Sequence, residues 1–393
     1  MNVQETSSAN RLHIGFFGKR NAGKSSLVNS VTNQNLSVVS DVLGTTTDPV
    51  RKTMELLPIG PVVIIDTPGF DDEGDLGELR IKKTKEVMNE IDFAVLVIDC
   101  TEGMSPYEEN FIRLCKDRKL PYMIAYNKSD LLDSKDSLKE NEIYVSATAG
   151  FQVKELKDLL GKLATPKEHE KTLIADFLHP GDTVFLVIPV DEGAPKSRII
   201  MPQQMVLRDV LDANACAIAC QPEELPHMLE TVKGRPAMVI TDSQAFGRVA
   251  KMVPEEIPLT SFSIIMARYK GELDKLIKGS EVLDHLQDGD RVLIAESCTH
   301  HRQCNDIGTV KMPTWIRQFS GAEPDFDFTS GREFPEDVSS YKLVIHCGGC
   351  MINETAMKSR MKIAQTCHVP ILNYGVAIAK MNGILARSLE LFL

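Results

Sequence analysis

The sequence predicts an α/β protein in three parts: a phosphate-loop domain followed by two smaller α/β domains. Three observations carry that prediction. The first is Gly18-Lys19-Arg20-Asn21-Ala22-Gly23-Lys24-Ser25, a complete G-x-x-x-x-G-K-S/T loop between an apolar run and a helix-like run. The second is the alternation of strand-length apolar runs with helical segments along most of the chain. The third is a pair of cysteine clusters, each lying directly behind an apolar run near the far end. With 393 residues there is room for two or three cores. The expected divisions are 1–166, 172–268 and 270–393, with the charged stretch Lys167 to Lys171 as a linker after Pro166.

In the first part, Leu12 to Phe17 reads as a strand and Ser26 to Val31 as the start of a helix, which is the setting a phosphate loop requires. Backbone N–H groups of the loop and the helix N-terminus are expected to wrap phosphates, so Gly18, Asn21, Ala22, Gly23, Lys24, Ser25 and Ser26 form the cradle. Lys24 is expected to reach the β- and γ-phosphates, and the Ser25 hydroxyl to ligate Mg²⁺. The apolar run Pro61 to Ile65 ends in Asp66-Thr67-Pro68-Gly69. There Asp66 can hold Mg²⁺ through water and the Gly69 N–H can face the γ-phosphate. Between them lies Gly44-Thr45-Thr46-Thr47-Asp48, a candidate first switch that supplies a threonine hydroxyl to Mg²⁺. Lys24, Thr46, Asp66 and Gly69 are therefore the expected hydrolytic set.

The base is read by the next strands. Ala94 to Ile98 is one; Tyr122 to Tyr126 is another, ending in Asn127-Lys128-Ser129-Asp130; Ile143 to Val145 precedes Ser146-Ala147-Thr148. The Asp130 carboxylate can accept from guanine's ring N–H and exocyclic amine together. Adenine lacks that donor edge and would leave the carboxylate desolvated and unpaired. Asn127 and Lys128 are expected to brace the loop and the base, and the Ala147 N–H, next to Ser146, to bond the guanine oxygen. This half resembles the translation-factor class of small GTPases, so GTP and GDP are the expected nucleotides.

Asn-Ala-Gly-Lys-Ser-Ser-Leu and Gly-Thr-Thr-Thr-Asp resemble the tRNA-modification and ribosome-assembly GTPases more narrowly. That resemblance implies K⁺ ligation by Asn21 and Mg²⁺ ligation by Thr46. Phe70 stands where Ras-like proteins carry a water-positioning glutamine, and it cannot orient water by hydrogen bonding. Slow intrinsic hydrolysis, helped by a cation, follows as an expectation. Thr47 takes the place of the arginine usual in that group.

The middle part alternates again. Strands are expected at Thr183 to Val190, Ala215 to Ala219 and Ala237 to Thr241, with helices at Pro202 to Asp212, Glu223 to Val232 and Gln244 to Met252. It carries no phosphate fingerprint and no clustered acid–base set. Cys216 and Cys220 read as buried, inert thiols.

In the last part, the strand Arg291 to Ala295 precedes Ser297-Cys298-Thr299-His300-His301, and Tyr341 to Ile345 precedes His346-Cys347-Gly348-Gly349-Cys350. Pro370 to Asn373 and Val376 to Arg387 complete a strand and a helix. A Cys-x-x-Cys loop puts two thiolates within reach of one metal, and Cys298 and His300 point the same way in extended chain. Both clusters follow the carboxyl ends of strands, where open α/β sheets collect ligands. Three cysteines with one or two histidines suit tetrahedral Zn²⁺ about as well as an iron–sulfur cluster.

Cys-x-His and His-Cys-x-x-Cys, behind a GTPase half and a middle α/β part, resemble the [FeFe]-hydrogenase maturation GTPases of the HydF family over essentially the whole chain. The resemblance implies a [4Fe–4S] cluster held by Cys298, Cys347 and Cys350, with His300 and His346 as possible further ligands. The fourth position looks exchangeable by that resemblance, and Cys304, Asp306 and His301, nearby in the sequence, could occupy it here. It also implies a transient diiron precursor, radical-SAM maturases and apo-[FeFe]-hydrogenase as partners, and a homodimer formed through the middle part. The competing expectation is a GTPase acting on tRNA or ribosomes with a structural zinc. A net charge of −11 weighs against broad nucleic-acid binding. Residues 1–11 lack an apolar signal segment, and no apolar run approaches 18 residues, so neither export nor a membrane span is expected. Nine cysteines beside a nucleotide site point to a reducing, cytoplasmic setting.

Overall fold

The computed structural model describes residues 9–33, 49–69, 83–134, 136–164, 171–190, 199–298 and 306–392. The chain forms two compact units, residues 1–168 and 169–393. The first is built on a six-stranded sheet. Its strands are β1 (Leu12–Phe17), β2 (Val50–Leu56), β3 (Gly60–Asp66), β4 (Phe93–Asp99), β5 (Tyr122–Asn127) and β6 (Glu142–Tyr144), in the order β2-β3-β1-β4-β5-β6. All neighbours are parallel except β2, which runs antiparallel along β3.

Central strands covered on both faces read as unbroken apolar runs, and all seven residues of β4 are buried. Phe16 and Phe17 turn to opposite faces. Phe16 joins Leu27, Val28 and Val31 of the helix Lys24–Thr32, whereas Phe17 joins Phe111 and Cys115 of the helix Pro106–Asp117. Burying each of these rings is worth roughly 1.5–3 kcal/mol. Strand β2 was not foreseen: Val-Arg-Lys-Thr-Met-Glu-Leu is a polar, half-exposed edge with no apolar run to reveal it.

The second unit holds two four-stranded parallel sheets. One contains β7 (Thr183–Val187), β8 (Cys216–Cys220), β9 (Met238–Thr241) and β10 (Leu259–Ser261), in the order β10-β9-β7-β8. The other contains β11 (Arg291–Ala295), β12 (Asp325–Thr329), β13 (Leu343–His346) and β14 (Ile371–Asn373), in the order β12-β11-β13-β14. The helix Phe262–Lys270 lies between them. Its Phe262, Ile265 and Met266 pack with Val184 and Ile240 of the first sheet. Its Ile264 and Ala267 enter a core shared by Phe185 and Val239 with Leu293 and Val344 of the second sheet.

Several expectations are corrected. Thr183 to Val190 stops being a strand after Val187. The helix expected over Gln244 to Met252 is a short turn at Ser243–Ala245 and a single helical turn at Phe246–Val249. The last helix is two, Tyr374–Met381 and Leu385–Leu389, separated at Gly383, whose φ of 71° belongs to the left-handed region. Cys216 and Cys220 are not buried: β8 is an edge strand, so Cys216 is exposed and Cys220 half-buried. Burial still pushes the Cys220 thiol up to about 11, with Glu224 adding to it.

Candidate functional site

The phosphate loop follows β1, and sheet register brings its partners alongside. Phe16 pairs with Asp66 of β3, and Phe17 pairs with Leu96 of β4. Gly18 therefore passes against β4 so closely that a Cβ there would lie 2.2 Å from the Val97 carbonyl oxygen, and its φ of 148° also favours glycine. Gly23, at φ 86°, turns the chain into the helix Lys24–Thr32. Lys24 is 7 % exposed, and its ammonium donates to the carbonyl oxygens of Gly18 (2.9 Å) and Lys19 (2.6 Å). The amine thus lies across the loop it is expected to serve. Ser25 Oγ donates to Asp66 Oδ2 at 2.7 Å. The two groups expected around Mg²⁺ are already in contact, a hydroxyl and a carboxylate that one divalent ion can bridge. Thr67 ties the end of β3 to β1 by donating to the Phe16 carbonyl at 2.7 Å.

Asn127 links the phosphate side to the base side. Its Nδ2 donates to the Ala22 carbonyl at 3.0 Å, and its Oδ1 accepts from the Ala147 N–H at 3.0 Å. The Ala147 N–H expected to bond guanine is thus held by Asn127. Lys128, in the left-handed region at φ 63°, ion-pairs with Asp99, which the register of β4 and β5 sets beside Asn127. Burial alone would raise the Asp99 carboxyl. The hydrogen bonds from Lys128 and Thr101 outweigh it and hold the carboxyl below its ordinary value. Asp130 is exposed on the turn Ser129–Leu131, beside the buried Ser129, where a planar donor edge can reach it. Asn21 is exposed at φ 58°. The structure brings together Gly18, Asn21, Ala22, Gly23, Lys24, Ser25, Ser26, Asp66, Gly69, Asn127, Lys128, Asp130, Ser146 and Ala147 at one end of the sheet. Thr46 and Phe70 lie outside the described residues.

The cysteine loops meet in the second unit. From β11 the chain goes to β12 on one side, and β13 lies on the other, so the order reverses between β11 and β13. Ala295 pairs with His346 at the carboxyl ends of those two strands. Cys298 and Cys347 follow directly, on the two walls of the crevice where parallel sheets bind ligands. Cys347 Sγ lies 3.1 Å from the Ser297 N–H nitrogen, 3.2 Å from Ser297 Oγ and 3.5 Å from the Gly349 nitrogen. Of the two loop glycines, Gly349 is the one the turn requires: its φ is 68°, and a Cβ would meet Met357 Cε at 2.4 Å.

Burial pushes the Cys350 thiol up to about 11, with Cys347 adding and Lys270 opposing. Cys298 is pushed higher, first by burial and then by Cys347, Cys350, Glu296 and Asp306. The three sulfurs share one electrostatic neighbourhood, and a metal that binds them must displace their protons. Among the described residues, no group of three or more His, Cys, Asp or Glu side chains stands in metal-holding geometry. The donor chemistry, three cysteines on neighbouring loops with N–H groups aimed at the Cys347 sulfur, fits a thiolate-bound iron–sulfur group. His300, His301 and Cys304 lie outside the described residues.

His346, a possible ligand by resemblance, has both ring nitrogens engaged within the fold. Its Nδ1 lies 2.8 Å from the Cys347 carbonyl oxygen, and its Nε2 lies 2.8 Å from the Arg360 guanidinium. Burial, and then the Arg360 charge, lower its pKa to about 3, so the ring is neutral, donating from Nδ1 and accepting at Nε2. Both nitrogens are thereby used inside the fold. Arg360 also donates to the Gly331 carbonyl at 2.7 Å. Lys270, at the end of the helix Phe262–Lys270, donates to the carbonyl oxygens of Gly349 (3.1 Å) and Ile352 (2.7 Å). Burial lowers its pKa to about 8, against the raising influence of Cys350, Cys347 and Glu354. Neither cation was foreseen. Each is a single basic residue in a helix, and no spacing marks it.

Fold and loops together define a P-loop GTPase domain joined to a cysteine-bearing α/β unit. Residues 13–128 match a family model described as 50S ribosome-binding GTPase. Residues 173–271 match the hydrogen maturase F dimerization domain, and residues 274–391 the hydrogen maturase F tetramerization domain. The chain belongs to the hydrogen maturase F (HydF) family of hydrogenase maturation GTPases. Among curated proteins it is 34 % identical over 168 residues to the GTPase Der of Kosmotoga olearia, covering 38 % of each chain. It is 29 % identical over 207 residues to the tRNA modification GTPase MnmE of Acetivibrio thermocellus, covering 50 % of this chain and 44 % of that one. The chain thus spans less than half the length of these relatives. Among solved structures, Era of Aquifex aeolicus bound to GDP·AlF4⁻ is 19 % identical, with a TM-score of 0.35, covering 56 % of this chain and 97 % of that one. No helix among the described residues is long and apolar enough to cross a membrane.

Proposed function

We propose that this chain is a GTP-hydrolysing scaffold and carrier for assembly of the [FeFe]-hydrogenase diiron subcluster. The observation that supports it most is that Cys298, Cys347 and Cys350 lie on loops behind two neighbouring strands of the second unit, in a chain that also carries a phosphate-loop GTPase domain. In this reading Lys24, Ser25 and Asp66 serve the phosphates and Mg²⁺, with Thr46 and Gly69 completing the γ-phosphate contacts. Asn21 would hold K⁺, and Asp130 selects guanine. Cys298, Cys347 and Cys350 hold a [4Fe–4S] cluster. When bound, that cluster supplies one iron not held by cysteine, where a diiron precursor can dock before transfer to apo-hydrogenase. Radical-SAM maturases would deliver the precursor.

The homodimer would form through the middle domain, whose sheet has an open edge at β8, Cys-Ala-Ile-Ala-Cys, without a charged side chain to block pairing. The setting is the cytoplasm. The reading of a tRNA or ribosome GTPase with structural zinc loses ground, because residues 173–391 match HydF domains.

The test uses one protein and three readouts: iron per chain after anaerobic reconstitution, GTP turnover, and activation of purified apo-hydrogenase. Cys347→Ala should lose iron and activation while keeping GTP turnover. Lys24→Ala should keep iron and lose turnover. A Cys347→Ala protein with full iron and full activation removes the scaffold reading.

A further inference from the structure

Lys270 is 1 % exposed, and among the described residues its ammonium donates to two neutral carbonyl oxygens, those of Gly349 and Ile352. A lysine at a helix C-terminus commonly offsets the dipole of its own helix. This one does not: it reaches out of the helix Phe262–Lys270 into the cysteine loop, 79 and 82 residues further along the chain. Sequestering an ammonium from water is strongly unfavourable unless an anion neutralises it. The acidic side chains in its electrostatic neighbourhood are Cys347, Cys350 and Glu354. Glu354 is already paired with Lys171 and Lys358. Among the described residues, what remains beside Lys270 is the Cys347–Cys350 loop whose carbonyls it holds, and a metal, which binds cysteine as thiolate, would bring negative charge to that loop.

We infer that Lys270 is the fixed counter-charge of the Cys347–Cys350 loop, a positioning residue that holds the Gly349 and Ile352 carbonyls and favours the metal-bound state of that loop. It rests on the metal-site reading above. It also gives the middle domain a direct hold on the cysteine loop, because the helix that ends in Lys270 packs into the core of the β7–β10 sheet.

Three substitutions separate charge from shape. Lys270→Met keeps the aliphatic stem, Lys270→Gln keeps a donor for the carbonyls without charge, and Lys270→Arg keeps the charge. Each full-length protein is reconstituted with ferrous iron and sulfide under argon. Iron loss to a chelator is timed, and the midpoint potential is read by electron paramagnetic resonance in a redox titration. In the Met and Gln proteins, iron loss should speed up by about tenfold or more. The ratio of reduced to oxidised protein at a fixed potential should fall about tenfold, a shift of about 59 mV to more negative values for one electron. The Arg protein should stay within about threefold of the wild type in both. Failure of the Met and Gln proteins to load iron while the Arg protein loads it supports the same inference. A Gln protein with wild-type retention and potential overturns it, as does an Arg protein as impaired as the Gln protein. A wild type that binds no iron removes the metal reading itself, which is a different failure.

Discussion

Asn127→Ala should loosen the nucleotide site from within, without touching a phosphate or a base. The side chain is 2 % exposed and makes two hydrogen bonds of 3.0 Å, one to the Ala22 carbonyl and one from the Ala147 N–H. Truncation leaves both backbone groups without a partner. Each such loss costs about 1–3 kcal/mol, and water admitted to the vacated space recovers part of it, so about 2–4 kcal/mol is expected in total. For a unit of this size, 1 kcal/mol moves the melting temperature by about 2–4 °C, which predicts a fall of roughly 4–16 °C for the first unit. The phosphate loop and the base loop also lose their common tie, so GDP affinity should drop by at least about tenfold, one step of about 1.4 kcal/mol. Asn127→Asp is the sharper control: it keeps the acceptor for Ala147 but sets a carboxylate against the Ala22 carbonyl oxygen, and it should be no better than alanine. Calorimetric melting with and without GDP, followed by titration with GDP, measures both effects. An Asn127→Ala protein with the wild-type melting temperature and GDP affinity would show that the two loops are held by other contacts.

Asp130→Asn should weaken GTP by about 100-fold or more, because an amide replaces a charged acceptor of two hydrogen bonds worth about 1.5–3 kcal/mol each. Titration with GTP, ATP and xanthosine triphosphate checks it, and equal GTP and ATP affinity in the wild type would sink the guanine assignment. K⁺ should raise GTP turnover over Na⁺ at equal ionic strength, since a cation beside Asn21 can stabilise charge on the γ-phosphate as an arginine does elsewhere. Matching rates in the two salts, or a K⁺ response that survives Asn21→Ala, would refute that.

Strands with both faces covered announce themselves as apolar runs, which is why β1, β4 and β11 were found almost to the residue. Edge strands have only one side to satisfy. Strand β2 is polar and half-exposed, β12 alternates Asp-Phe-Asp-Phe-Thr, and neither stood out from a loop. The opposite error came from β8: Cys-Ala-Ile-Ala-Cys reads as core but lies at an open edge. Composition cannot tell a buried apolar strand from one awaiting a partner. At the sites, the groups that contact ligand sit in short motifs, because a phosphate loop or a Cys-x-x-Cys needs several residues of one stretch at fixed spacing. The groups that hold those loops come from elsewhere in the chain. Lys270 and Arg360 reach the cysteine loop across 79 and 14 residues, and no local pattern records that meeting.

Both loops are held in the same way, and that bears on what each can do. Asn127 grips the phosphate loop by a backbone carbonyl, and Lys270 grips the cysteine loop by two. Neither bond depends on the side chains that the loop presents to its ligand. Each loop can therefore be fixed in shape before the ligand arrives, leaving Ser25 and Asp66 to meet a cation and the cysteine sulfurs to meet a metal. Such fixing lowers the ordering cost of binding. The two grips differ in one respect. Asn127 is neutral and favours no charge in its loop, so the phosphate site draws its selectivity for anions from Lys24 and the helix N-terminus. Lys270 is charged and buried, so its grip also favours an anion in the loop above it. A neutral donor would serve as well if the cysteine loop needed only its shape. The Lys270→Gln protein, which keeps a donor and drops the charge, tells the two apart.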